Sequence, residues 1–367
     1  MNRENAIFKT LALGQSIWCD FLSRDLIRSG RLSGMIASGV RGVTTNPSIF
    51  ENAIGKTSDY DSDILSMVKD GKTREQIYET LTAGDVTEAA DLLAPLYRES
   101  GGADGFVSLE VSPLLAHDAA GTLEEARKLA NLINRPNLMI KIPATGAGIE
   151  AVRQCAALGI NVNVTLIFSR KQYRDSAGAY IDGLVQRAER DAPVSGVASV
   201  ASLFVSRVDT AADKMLEDTA AGGSLAGRIA VDNARAAYAD FEKIFSGPRW
   251  EGLAAKGASV QRPLWASTGT KNPDYSPTLY VDSLIGPHTV NTVPPATLEL
   301  FLKNGTPAHT VALDREAGAA RLDELEKMGI SLEKITDKLL EEGLLAFEKA
   351  YLSLLDTIEK KGRALAG

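Results

Sequence analysis

The chain has 367 residues, 44% of them hydrophobic, enough for a large core, and its two cysteines, Cys19 and Cys155, stand too far apart to suggest a disulfide framework. Lys and Arg number 40 against 47 Asp and Glu, a formal net charge of −7. That balance excludes a surface built to neutralise a nucleic-acid backbone and leaves any anionic ligand to a few local cations.

No apolar run approaches the roughly 20 residues of a membrane span. The opening MNRENAIFKTLALGQ lacks the apolar stretch and small-residue cleavage site of a secretory signal, so a cytoplasmic location with reduced thiols is expected. In chain order, the predicted strands are Ser16–Asp20, Gly42–Asn46, Phe106–Val111, Leu138–Pro143, Ile160–Phe168, Ser199–Val205, Pro263–Ser267 and His288–Val293. Amphipathic patterns lie between them, such as LEEARKLANLI after the third strand and RKQYRDSAGAYIDGLVQRAER after the fifth. Strands alternating with helices imply parallel βαβ units, and eight strands match a (β/α)8 TIM barrel, here a single domain over 1–367. The long helical stretch Asp59–Arg98 is an insertion such a barrel tolerates. The segment from about 295 to 367 is predicted helical, extra C-terminal helices packed against the barrel's outside. An open doubly wound sheet would want a Gly-rich turn after the first strand, but FLSRDL follows Asp20.

Parallel strands buried on both faces normally read as unbroken apolar runs. Here most are interrupted near their C-terminal ends: by Asp20, by Thr45-Asn46, by Glu110, by Lys141, by Asn163 and Thr165, and by Ser202. In a barrel those ends form the mouth where active sites assemble. Lys141 sits between Ile140 and Ile142, where an ammonium is costly unless it is paired or loses its proton. One reading is a lysine whose head snorkels out to solvent. The other is a desolvated amine that attacks a carbonyl. Glu110 on the adjacent strand would favour the charged form, and a plain salt bridge between the two is an alternative role for it. Asp20 could serve as the N-cap of the FLSRDL segment. Asn161, Asn163 and Thr165 project together, and Ser202 and Phe204 share a face. A polar stripe inside a barrel needs a ligand, water or a hydrogen-bond ladder. Cys19 points the opposite way from Asp20 and is assigned to packing.

The segments GVTTNPSIF, FVSLEVSP, MIKIPAT, NVNVTLIFS and SVASLFVSRVD resemble, in order, those of the transaldolase family, class I enzymes that form a Schiff base. The resemblance implies a (β/α)8 barrel with the imine-forming lysine on the fourth strand, where Lys141 falls. It implies that Lys141 holds a dihydroxyacetone unit taken from a ketose phosphate, with fructose 6-phosphate or sedoheptulose 7-phosphate as donor and an aldose phosphate as acceptor. Asp20 would then take and return the hydroxyl proton at the carbon–carbon bond. Glu110, with a water held by Thr165, would move protons during imine formation. Asn46 and Asn163 would hydrogen-bond the three-carbon unit, beside Ser202 and Phe204. Arg207 stands where the family has a phosphate-binding arginine. The second such arginine is replaced by WASTGTKNP, where Lys271 is the substitute, a point charge in place of a bidentate fork.

Two Gly-Lys-Thr triplets, at 55–57 and 71–73, lack the glycine five residues upstream that a phosphate-binding loop needs. The three histidines, His117, His288 and His309, lack zinc-ligand spacing, so neither metal nor cofactor is expected. The rival readings are an aldolase of the same superfamily that releases free dihydroxyacetone, and a non-catalytic sugar-phosphate-binding barrel. The resemblance implies transfer rather than release, since that aldolase relative typically differs at the acidic position held here by Glu110. A homodimer is left open.

Overall fold

The computed structural model describes residues 4–366 apart from 218, 220 and 221. Its strands are β1 (Gln15–Cys19), β2 (Gly42–Val43), β3 (Phe106–Glu110), β4 (Leu138–Pro143), β5 (Val162–Ile167), β6 (Ser199–Phe204), β7 (Gln261–Ala266) and β8 (Thr289–Val293). They pair in parallel in sequence order, and β8 closes on β1 to make a barrel. The eight predicted strands are all present, and their ends differ by a few residues. In the second, Thr44, Thr45 and Asn46 leave the ladder, and Asn46 caps the next helix.

Side-chain alternation explains why this sequence closes as it does. On β4, Ile140 and Ile142 are fully buried and face the helices while Lys141 faces the lumen; on β5, Val162 and Val164 do the same around Asn163. Each such aliphatic side chain contributes roughly 1.5–3 kcal/mol by leaving water. In the lumen, Gly42 is required by close approach: a Cβ there would meet the Trp18 indole at 2.6 Å.

The rejected Gly-Lys-Thr triplets prove to be helix punctuation. Gly55 ends the helix Pro47–Gly55, and Thr73 caps the helix Arg74–Glu99 through a capping box with Gln76. The predicted insertion Asp59–Arg98 is two helices, Asp61–Lys69 and Arg74–Glu99.

The C-terminal segment contains helices Pro295–Asn304, Arg315–Lys327 and Leu332–Ala366. The second packs on the outer helix Ile229–Ile244, locked by Arg321 donating to both oxygens of Asp232 at 2.6 and 2.7 Å. The third keeps the expected outside position only in part: it packs on the outer helices Asp61–Lys69 and Arg74–Glu99 but also reaches past them. It contacts the helix following β2 (Pro47–Gly55), the turn following β3 (Pro113–Leu115), the helix following β6 (Ser206–Leu216), and β5 itself. All these lie at the C-terminal ends of strands, so this helix crosses the mouth of the barrel. Its buried stripe runs Ile335, Leu339, Gly343, Phe347, Tyr351, Leu354 and on to Ile358, the spacing of one helical face.

No helix among the described residues is long and apolar enough to cross a membrane.

Candidate active site

Strand register sets Glu110, Lys141 and Asn163 side by side, as Cα partners on β3, β4 and β5. Lys141 is only 4% exposed and turned into the lumen, which rules out the snorkelling alternative. Its Nζ donates to the backbone oxygen of Thr45 at 2.9 Å and lies 3.4 Å from Glu110 Oε2. Apart from that ion pair, Glu110 Oε2 is buried and has no hydrogen-bond partner within the protein. The Thr165 hydroxyl is also buried without a partner. Buried polar atoms are nearly always satisfied, so these two orphans, near the C-terminal ends of β3 and β5, mark places open to a ligand or water.

Asn163 is held rigidly. Its amide donates to Ser108 Oγ at 3.0 Å and its oxygen accepts from Ser202 Oγ at 2.6 Å. Ser202 therefore positions Asn163 from β6. Asn161, on the same sequence stripe, is spent on scaffold: it donates to the carbonyls of Pro136 and Leu138 and accepts from the Ala198 N–H. At Leu166 the chain takes a left-handed φ of 56°, and the β5–β6 register shifts between Val164 and Ile167. A bulge in the strand that carries Asn163 and Thr165 re-aims side chains at the mouth.

Asp20 follows β1 and is half-buried. It is not the cap of the next helix; Ser23 performs that role by accepting from Leu26 N–H. Asp20 Oδ1 instead accepts from Thr44 Oγ1 at 2.7 Å, and Thr44 shares a second hydrogen bond with Thr292 at 2.6 Å.

Burial dominates the titration of both carboxyls. Glu110 is pushed up to about 7 by desolvation, against the opposing pull of the Lys141 charge, with the Asp20 charge raising it further. Asp20 is also raised by burial, while Lys141 and the Thr44 hydroxyl draw it back. A carboxyl that titrates near neutrality can both take and give a proton. Cys19, fully buried, is pushed up to about 12 by burial and by the neighbouring Asp20 charge, so the packing assignment stands and it is no nucleophile.

Arg207, in the first turn of the helix Ser206–Leu216, lies with its guanidinium 5.4 Å from the Phe204 ring centre. Phe204 in turn packs on Phe168 at 5.3 Å. Asn46 uses its side-chain oxygen to accept from Ile49 N–H at 3.0 Å, which leaves its NH2 group to donate. Lys271 is exposed in the loop after β7, at the same end of the barrel, and none of the contacts joining the other residues reaches it.

Three participants were not found from sequence. Thr44 lay inside a predicted strand, where its hydroxyl gave no sign of holding Asp20. The Thr45 carbonyl has no side-chain signature. Phe347, 4% exposed, stands with its ring centre 5.8 Å from Lys141 Nζ, brought there by a helix 206 residues further along the chain (347 − 141).

A family model described as transaldolase/fructose-6-phosphate aldolase matches residues 17–358. A protein named transaldolase from Neisseria gonorrhoeae (strain ATCC 700825 / FA 1090) is 46% identical, the match covering 94% of this chain and 97% of that protein. One of the same name from Trichodesmium erythraeum (strain IMS101) is 42% identical over 98% of each chain, and transaldolase 1 of Streptomyces avermitilis is 46% identical over 94% of this chain and 92% of its own length. With an eight-stranded barrel carrying its buried lysine on the fourth strand, the chain belongs to the transaldolase/fructose-6-phosphate aldolase family.

Proposed function

We propose that this enzyme is a transaldolase: it transfers a dihydroxyacetone unit from a ketose phosphate to an aldose phosphate through an imine on Lys141. The observation that carries the reading is the under-satisfied cluster around that amine, with one carbonyl contact, one ion pair at 3.4 Å, and orphan oxygens on Glu110 and Thr165. The names of relatives at 42–46% identity support the same activity.

Each residue then has a role suited to its surroundings. Lys141 adds to the ketose carbonyl and, after loss of water, becomes the imine that serves as electron sink. Glu110 moves the protons of carbinolamine formation and dehydration through a water bound at the Thr165 hydroxyl. Asp20, reached from the mouth, takes the hydroxyl proton as the carbon–carbon bond breaks and returns it when the acceptor aldehyde adds; such steps contribute roughly 10²–10⁴-fold each. Asn163 and Asn46 hold the hydroxyls of the three-carbon unit, with Ser202 fixing Asn163. Arg207 receives the phosphate, with Lys271 as a second, looser cation. Phe204 supplies an apolar wall. The cluster needs no cofactor for this chemistry.

Borohydride reduction with fructose 6-phosphate tests the reading. A substrate-dependent mass increase on the Lys141 peptide is expected, together with little free dihydroxyacetone, the three-carbon unit appearing in a new ketose phosphate once an aldose phosphate is added. Absence of the adduct would favour a binding-only barrel, and fast acceptor-independent release would favour the aldolase.

A further inference from the structure

We propose that Phe347, on the helix crossing the mouth, is a positioning residue that keeps water from the three-carbon unit on Lys141 between donor cleavage and acceptor addition. This rests on the proposed transaldolase reading.

The helix Leu332–Ala366 is seated where it must be for that role. Gly343, one turn before Phe347, permits the approach: a Cβ there would meet the Leu166 side chain at 2.9 Å and Arg207 at 3.7 Å. A second glycine on the same face, Gly362, does likewise against Val68, where a Cβ would stand 2.7 Å from Cγ2. Between these contacts the helix buries Phe347, Tyr351, Leu354 and Ile358. The Phe347 ring is thus held in place over the lysine.

The distance suits a bound intermediate better than the free amine. At 5.8 Å from ring centre to Nζ, ring and nitrogen are at the outer limit of a cation–π contact. An atom bonded to Nζ on the ring's side, at about 1.3 Å, would stand about 4.5 Å from the ring centre, close to ordinary carbon–carbon contact. The ring then covers the fragment's face while Asp20, Asn46 and Arg207, all partly exposed, leave the mouth open beside it.

Cover there has a chemical consequence. After cleavage the fragment remains as a neutral enamine. If water donates a proton to its nucleophilic carbon, an iminium forms. A second water then adds to the imine carbon, the C–N bond breaks, and dihydroxyacetone leaves with a free lysine. The sum is one net water consumed, with no oxidant or reductant. An apolar ring denies that face to water and favours reaction with the acceptor aldehyde.

The test compares Phe347→Ala and Phe347→Leu with Tyr351→Ala. Tyr351 lies one turn further along the same helix face and packs edge-on against Tyr78 at 5.1 Å. The readout is the ratio of dihydroxyacetone released to dihydroxyacetone transferred, from fructose 6-phosphate with erythrose 4-phosphate. We expect that ratio to rise at least tenfold in Phe347→Ala, less in Phe347→Leu, and hardly in Tyr351→Ala, with the borohydride adduct on Lys141 retained in all three. An unchanged ratio in both Phe347 variants, or an equal rise in Tyr351→Ala, would overturn the proposal. Loss of the adduct in the unaltered protein would instead reject the reading beneath it.

Discussion

The barrel lumen contains two polar clusters, one at each end, and they are built differently. At the N-terminal end Asp104 accepts from Ser16 Oγ at 2.8 Å, from Trp18 Nε1 at 3.4 Å and from Arg262 at 3.1 Å. Arg262 also donates to Ala103 O, Ser16 Oγ and Thr289 O, at 2.7 to 2.9 Å. Donors and acceptors there are matched, and the charges neutralise each other. At the C-terminal end Lys141 has one carbonyl and a longer ion pair, while Glu110 Oε2 and Thr165 Oγ1 have no hydrogen bond. The Arg262–Asp104 pair is the more exposed, with side chains 16% and 10% accessible against 5% and 5% for Lys141 and Glu110, so the lack of partners falls on the drier cluster. Of these two clusters, the one with a closed hydrogen-bond account is scaffold, and the open one adjoins the lysine, where a ligand can complete it.

The largest expected effects come from exchanging apolar side chains into each cluster. Arg262→Met should leave Asp104 buried and unpaired and destabilise by about 3–5 kcal/mol, read by urea denaturation, with turnover per folded molecule retained. Lys141→Met should reverse the pattern: turnover falls at least about 10³-fold, while stability moves far less, because Glu110 without its lysine can stay protonated. Equal losses of stability would mean that satisfaction does not separate the two ends.

A smaller effect sharpens the contrast through pH. The Glu110 carboxyl is raised from 4.5 to about 7 on folding. A raised carboxyl contributes stability below pH 4.5, and that contribution is lost as pH rises through 7. Unaltered protein should therefore lose stability relative to Glu110→Gln between those values, and the difference should level off above pH 7. The inflection near pH 7 in kcat/KM should disappear in the variant. Parallel stability curves would remove the burial argument. The smallest change is Thr165→Val. Its hydroxyl has no partner to lose, so stability should shift by no more than about 0.5 kcal/mol, while imine formation slows by about tenfold. Destabilisation beyond 1–2 kcal/mol would show that the hydroxyl is part of the scaffold.

Much of this molecule was legible in the order of its residues. Strand faces follow a period of two, so Lys141 between two isoleucines, and Asn163 between two valines, declare an inward polar residue from sequence alone. The strand count announced the barrel, because parallel strands alternating with helices close at eight. Long ordered segments such as NVNVTLIFS carried the family. These are local signals, written within a few positions of one another.

What tertiary structure alone decided is which polar groups find partners. Asp20 could cap a helix on sequence grounds, yet Ser23 caps it and Thr44 takes the carboxylate. Thr45 contributes a carbonyl, an atom that every residue owns and no sequence distinguishes. The last helix had the periodicity of any amphipathic segment, and only the docked fold sends it across the mouth to bring Phe347 to the lysine. The reason is physical: periodicity fixes which way a side chain points within its own element, whereas hydrogen-bond satisfaction and contact depend on what distant elements bring to the same few ångströms.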